Sequence, residues 1–247
     1  MFQIKKRSFL FLLVICAITG MLFIYNLGSA NTITHNAKNY PVKGVDVSTY
    51  QGLIDWPLLA QNDLSFVFIK ATEGSSFIDD DFAYNFHEAA KTHLMIGAYH
   101  FFSYESSGAT QANNYINTVP IKETMLPPVV DLEFYGNYNR FNIADKDKTR
   151  QELTVLLDTL EQHYGQKPII YTSPKVYSIY LANHYEDYPL WISNYHSDPV
   201  LPDQKQWTFW QYTDRGFLSG YSGYAPNIDL NVYRGSLEEF NREFRSH

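Results

Sequence analysis

Residues 129–172 read VVDLEFYGNYNRFNIADKDKTRQELTVLLDTLEQHYGQKPIIYT, and the order of elements in this stretch decides the fold. Val129–Phe134 and Pro168–Thr172 are short, apolar runs rich in β-branched and aromatic residues, as strands covered on both faces are. Between them, Leu153, Leu156, Leu157, Leu160 and Tyr164 fall at i, i+3, i+4, i+7 and i+11. That spacing is one stripe of a helix, and Gly165 can end it. Strand, helix, strand in this order predicts a parallel pair with the helix outside.

The same alternation extends in both directions. Further strand-like runs are Lys43–Val47, Phe66–Ala71, Met95–Phe102, Leu190–Tyr195, Trp207–Tyr212 and Ile228–Tyr233. Asp55 with Pro57 opens a short helix after the first run. Asp79, Asp80 and Asp81 crowd the start of another, where they suit the helix dipole, and Phe82, Phe86, Ala89 and Ala90 form its inward stripe. A third helix follows Ser107, with Ala112, Tyr115, Ile116 and Val119 inward. Ser173-Pro174 opens a fifth, with Tyr177, Tyr180 and Leu181 inward. After Tyr195 the spacers carry no helical period until a terminal helix at Leu237–Phe244. The expected fold is α/β, a TIM-like β/α barrel whose outer helical layer is incomplete.

Lys5, Lys6 and Arg7 precede an uncharged apolar run, Phe9–Tyr25, with small residues at Gly28-Ser29-Ala30. Residues 1–30 therefore read as a signal peptide or an N-terminal membrane anchor, residues 9–25 being the part that would sit in the membrane. Residues 31–41 read as a polar linker and 42–247 as the barrel domain. Export is expected, to a secreted, periplasmic or membrane-anchored location. The net charge of -7 makes nucleic acid a poor partner. The single cysteine, Cys16, lies in the apolar run, so the folded part is expected to hold no disulfide. No phosphate-binding glycine loop, dinucleotide fingerprint or metal-ligand histidine spacing is present, and neither metal nor cofactor is expected.

Asp131 and Glu133 stand two apart in an apolar strand, so both point to one face, with Cβ atoms roughly 7 Å apart. Two carboxyls beside a core raise each other's pKa, so that one can keep its proton while the other is ionised. Cleavage of a glycosidic bond needs that combination: an acid for the leaving oxygen and an anion for the cationic sugar carbon. Asp46 and Asp229 add two more strand acids. Barrel sites lie at the C-terminal ends of parallel strands, so Asp229, at the start of its run, joins them only if that strand is antiparallel. Lys70, Glu73, Phe101, Tyr171, Trp191, Tyr195 and Gln211 lie near the strand ends and are expected to contact substrate. The aromatic faces suit the apolar faces of sugar rings.

Several segments together resemble glycoside hydrolase family 25, the Chalaropsis-type lysozymes. They are GVDVSTYQGLIDW (44–56), FVFIKATEGSSFIDDDFAYNF (66–86), IGAYHFF (96–102), LPPVVDLE (126–133), PLWISNY (189–195), WTFWQYT (207–213) and NIDLNVY (227–233). The resemblance implies five β/α units followed by three strands. It also implies hydrolysis of the β-1,4 bond between N-acetylmuramic acid and N-acetylglucosamine in peptidoglycan; the chain is expected to act as a monomer. By motif, Glu133 is the general acid. Asp131 stabilises positive charge, as nucleophile or by orienting the 2-acetamido group. Asp46 and Asp229 are supporting acids, and Tyr99 is an active-site tyrosine. The long, Tyr/Gly-rich connection from Tyr212 to Asp229 departs from the family pattern. The competing reading is a catalytically inactive barrel that binds cell-wall glycan.

Overall fold

The computed structural model describes residues 36–122, 124–223 and 225–244. The expected signal or anchor, residues 1–30, lies outside the described residues. At the end of the stretch read as a linker, Tyr40 packs edge-on against Trp207 and Trp210, with ring centroids 5.3 and 6.2 Å away.

The strands are β1 (Val42–Val47), β2 (Phe66–Glu73), β3 (Phe77–Ile78), β4 (Met95–Phe101), β5 (Val129–Leu132), β6 (Ile169–Thr172), β7 (Leu190–Ser193), β8 (Phe209–Gly216) and β9 (Ile228–Tyr233). Eight of them close a barrel in the order β1-β9-β8-β7-β6-β5-β4-β2, with β1 pairing back to β2; β3 is a two-residue flap on β2. β1, β2, β4, β5, β6, β7 and β8 run parallel around the barrel. β9 is antiparallel to both its neighbours. Five helical crossovers follow β1, β2, β4, β5 and β6: α1 (Trp56–Leu59), α2 (Phe82–Ala89), α3 (Gly108–Thr118), α4 (Lys146–Tyr164) and α5 (Pro174–Val176). A last helix, α6, spans Leu237–Phe244. Five β/α units followed by three strands is the arrangement expected.

The predicted helix signals act locally as caps. Asp55 accepts from the Leu58 amide, Ser107 from Thr110 and Ser173 from Val176. Gly165 ends α4 in the left-handed region at φ 68°, where other residues are strained. The α4 stripe Leu153, Leu156, Leu157 and Leu160 is fully buried. Some expectations are corrected. Ala90 is exposed. Beyond Val176 the chain winds as a π turn, Tyr177–Leu181, rather than an α-helix. The acids before α2 have a further role: Asp79 accepts from the Thr49 and Asp81 amides and Asp81 from the Thr49 hydroxyl, tying down the loop after β1.

Strand alternation sorts the side chains into two cores. Outward residues such as Val45, Val67, Ile69, Val130 and Ile170 meet the helices. Inward residues Val42, Phe66, Phe68, Met95, Val129, Ile169, Trp191, Phe209 and Tyr233 fill the barrel. The rings Phe66 and Phe68 are admitted by glycines on the neighbouring strands: a Cβ at Gly44 would lie 2.4 Å from Phe66, and one at Gly97 2.7 Å from Phe68. Phe240 and Phe244 of α6 pack on this inner core, with Phe240 5.3 Å from Tyr233 and Phe244 5.7 Å from Phe209.

Candidate active site

The inward parity that fills the barrel also builds the site. Continuing along each strand in steps of two, the next inward residues are Asp46 on β1, Lys70 on β2, Tyr99 and Phe101 on β4, Asp131 on β5, Tyr171 on β6 and Gln211 on β8. They line one cleft of about 420 Å³, together with Glu133, Trp191 and Asp229. Glu133 lies one residue past the end of β5 rather than within it, yet keeps the parity of Asp131. Asp229 reaches this mouth because β9 runs antiparallel, which pairs it directly with Asp46.

A hydrogen-bonded network holds the acids. Gln211 Nε2 donates to Asp46 Oδ2 at 2.9 Å and to Asp229 Oδ2 at 3.0 Å. Its Oε1 accepts from the hydroxyls of Tyr171 at 2.8 Å and Tyr195 at 2.7 Å. These four bonds use the full capacity of the amide. Asn231 Nδ2 donates to Asp46 at 2.7 Å, and Trp191 Nε1 donates to Asn231 Oδ1 at 2.8 Å. Asp131 is different: its buried Oδ1 accepts no hydrogen bond from any described residue.

The electrostatics follow from burial. Glu133 is pushed up to about 7, first by burial and then by the Asp46 charge. Asp131 is pushed well above the usual carboxylate range by burial and then by Glu133, with the Lys70 ammonium opposing. Both members of the pair are thus raised, as two carboxyls brought together beside a core should be. Asp229 is pushed up to about 9 by burial and by Asp46. Asp46 is raised by burial, against the hydrogen bonds from Asn231, Gln211 and Asp229. Burial and the surrounding carboxylates hold the Tyr99 phenol well above its ordinary value, so it stays a neutral donor.

Of the residues expected to contact substrate, Lys70, Phe101, Tyr99, Tyr171, Trp191 and Gln211 line the cleft, and Glu73 and Tyr195 do not. Glu73 instead pairs with Lys70 Nζ at 2.9 Å. That ammonium also lies 5.2 Å from the centre of the Phe101 ring. Trp191 belongs to the barrel core, stacked on Phe68 at 4.5 Å, and also lines the cleft. Sequence reasoning missed Asn231, although its place two residues after Asp229 in an apolar strand is the signal that found Asp131 and Glu133. It also missed a wall of the cleft. Ala225, Pro226 and Asn227 from the β8–β9 connection line it, together with Ser48, Tyr50 and Gln51 from the loop after β1. The two loops interlock: the Ala225 amide donates to Tyr50 O, and a Cβ on Gly223 would lie 2.2 Å from the Gln51 carbonyl carbon. Such contacts are long-range and leave no local sequence pattern. Among the described residues no group of histidine, cysteine and acidic side chains is arranged to hold a metal.

Comparison with known proteins agrees with this architecture. The family "Glycosyl hydrolases family 25" matches residues 45–221. The solved structure of a family 25 glycosyl hydrolase from Bacillus anthracis superposes with a TM-score of 0.78 at 46% identity, covering 83% of this chain and 94% of that one. YegX of Escherichia coli (strain K12), an uncharacterized protein, is 34% identical over 206 residues, 81% of this chain and 72% of its own. Lysozyme M1 of Streptomyces globisporus is 29% identical over 208 residues, 79% of this chain and 68% of its own. An acid-lined barrel mouth and a matched family profile lead to one conclusion: the chain belongs to glycosyl hydrolases family 25 and is a glycoside hydrolase.

Proposed function

We propose that the chain is a lysozyme that hydrolyses the β-1,4 bond between N-acetylmuramic acid and N-acetylglucosamine in peptidoglycan. The reading is carried by Asp131 and Glu133, set two residues apart at the end of β5 and both lining the acid cleft. Relatives named Lysozyme M1 and N,O-diacetylmuramidase support the substrate. Glu133, raised to about 7, holds a proton near neutral pH and gives it to the leaving oxygen. Asp131, with an oxygen that no described side chain occupies, stabilises the positive charge that grows on the sugar ring. It acts either as nucleophile or by orienting the 2-acetamido group. Burial and Glu133 raise Asp131, and the Lys70 ammonium opposes them in favour of the anion. Asp46 and Asp229 form the opposite side of the site. Tyr99 donates from the cleft wall, and Phe101, Tyr171 and Trp191 offer apolar contact to the rings.

Peptidoglycan lies outside the cytoplasmic membrane, so this reading includes export, with residues 9–25 as cleaved signal or retained anchor. Among the described residues no helix is long and apolar enough to cross a membrane. Mass spectrometry of fragments released from purified peptidoglycan tests the bond. Products with N-acetylmuramic acid at the new reducing end are expected. Fragments with N-acetylglucosamine there would assign a different bond and overturn the proposal.

A further inference from the structure

Asp46 and Asp229 are paired residues of β1 and β9, and both accept from Gln211 Nε2. Two carboxyls so placed share one proton near neutral pH, because ionising both sets two charges together in a buried site. The donors around them decide which one keeps it. Asp46 Oδ2 accepts twice, from Gln211 at 2.9 Å and from Asn231 at 2.7 Å, whereas Asp229 Oδ2 accepts from Gln211 at 3.0 Å. The Asn231 amide cannot turn round. Its Oδ1 faces the Trp191 indole nitrogen at 2.8 Å, and an indole nitrogen only donates. The amide NH₂ must therefore face Asp46. Asn231 is fully buried and Trp191 nearly so, so neither is free to shift.

We propose that Asn231, fixed by Trp191, is a positioning residue that holds Asp46 as the ionised member of the Asp46–Asp229 pair and so helps to keep the proton on Glu133. The last link is Coulombic. The Asp46 charge faces Glu133 across the cleft and disfavours its ionisation. Other groups face these acids too: Lys70 from β2, Tyr99 from β4, Asp131 from β5, Tyr171 from β6, Tyr195 beyond β7 and Asp214 from β8. The tyrosines stay neutral through the working range, being raised by burial. The donor from Asn231 is an amide and does not titrate at all, so it biases the acids at every pH.

This inference rests on Glu133 being the general acid, and the test separates the two claims. The measurement is the pH dependence of kcat/KM on soluble peptidoglycan fragments, with folding checked by circular dichroism and melting. In Asn231→Leu, Asp46 loses a donor, takes up a proton more readily and exerts less field on Glu133. The alkaline limb should move to lower pH by about half a unit to one unit. Trp191→Phe keeps a ring and removes the indole donor. It should move the limb in the same direction by less, and it decides the matter if Asn231→Leu does not fold. An alkaline limb that stays in place, with activity lowered by one factor at every pH, would make Asn231 merely structural and overturn the proposal. Glu133→Gln distinguishes the failures. Full activity in that variant overturns the acid assignment itself, whereas a dead Glu133→Gln beside an unmoved limb overturns the role of Asn231 alone.

Discussion

Asp46 and Asp229 face each other across the antiparallel ladder between β1 and β9, joined through the amide of Gln211. The reversed last strand is what brings them together, since in a parallel strand the residue at the start of β9 would open on the opposite end of the barrel. Their proximity is costly. Burial raises both, and Asp229 is pushed up to about 9. A carboxyl raised on folding binds its proton more tightly in the native state. Its contribution to stability is therefore full below the unfolded value near ~4 and is lost as pH rises through the folded value. Thermal melts should accordingly show Asp229→Asn gaining a few degrees over wild type at pH 8 and nothing at pH 4. A variant less stable at both pH values would show that the acid pair supports the fold instead.

Activity should follow a bell-shaped pH profile. As pH rises through about 7 Glu133 loses its proton and the alkaline limb falls; as pH drops, the Asp131–Glu133 pair takes up its second proton, the anion is lost and the acid limb falls. Initial rates between pH 4 and 9 check this. A flat profile over that range contradicts the pairing.

The interlocked loops give a prediction about binding. In Gly223→Ala the new methyl meets the Gln51 backbone at 2.2 Å and must push the β8–β9 wall outward. Tyr50, Pro226 and Asn227 line the cleft on either side of that contact. The variant is expected to raise KM several-fold with a smaller change in kcat, because the acids on the strands are not displaced. Unchanged steady-state parameters would mean that the wall does not touch the substrate.

Packing of α4 on the barrel and on α3 sets much of the stability. Leu157→Ala removes a fully buried side chain and should cost about 2–5 kcal/mol. Gly108→Ala places a Cβ 2.0 Å from the Glu152 carbonyl oxygen, where α3 meets α4, and overpacking of that kind costs about 1–3 kcal/mol. Urea unfolding of both variants measures the losses. No loss in Gly108→Ala would show that the helices can separate freely.

The sequence was most legible where chemistry and periodicity coincide. The α4 stripe, its terminal Gly165 and the Asp131–Glu133 spacing are each set by residues close together in the chain, and each appears in the structure where the spacing puts it. The Asp229 position followed from one conditional argument about strand direction. What was not legible depends on partners far away in sequence. Asn231 matters because Trp191 and Asp46 converge on it. Tyr195 is expected on the cleft, but it is not among the lining residues, and its hydroxyl is engaged by Gln211, a partner 16 residues away. Asp79 and Asp81 read as helix-dipole acids, and the structure adds what spacing could not show, that one oxygen of each accepts from Thr49, thirty and more residues earlier. Burial, the first cause of the raised Asp131 and Glu133, depends on the closed barrel, whereas their spacing supplies only the Glu133 charge beside Asp131.

The central claim is tested most directly by incubating purified peptidoglycan with wild-type protein and with Glu133→Gln, and counting new reducing ends while the bound fraction is measured by co-sedimentation. Release by wild type, with a rate about 10²–10⁴-fold lower in Glu133→Gln and binding retained, is the predicted result. Equal release by both proteins, or binding without release by wild type, would contradict it.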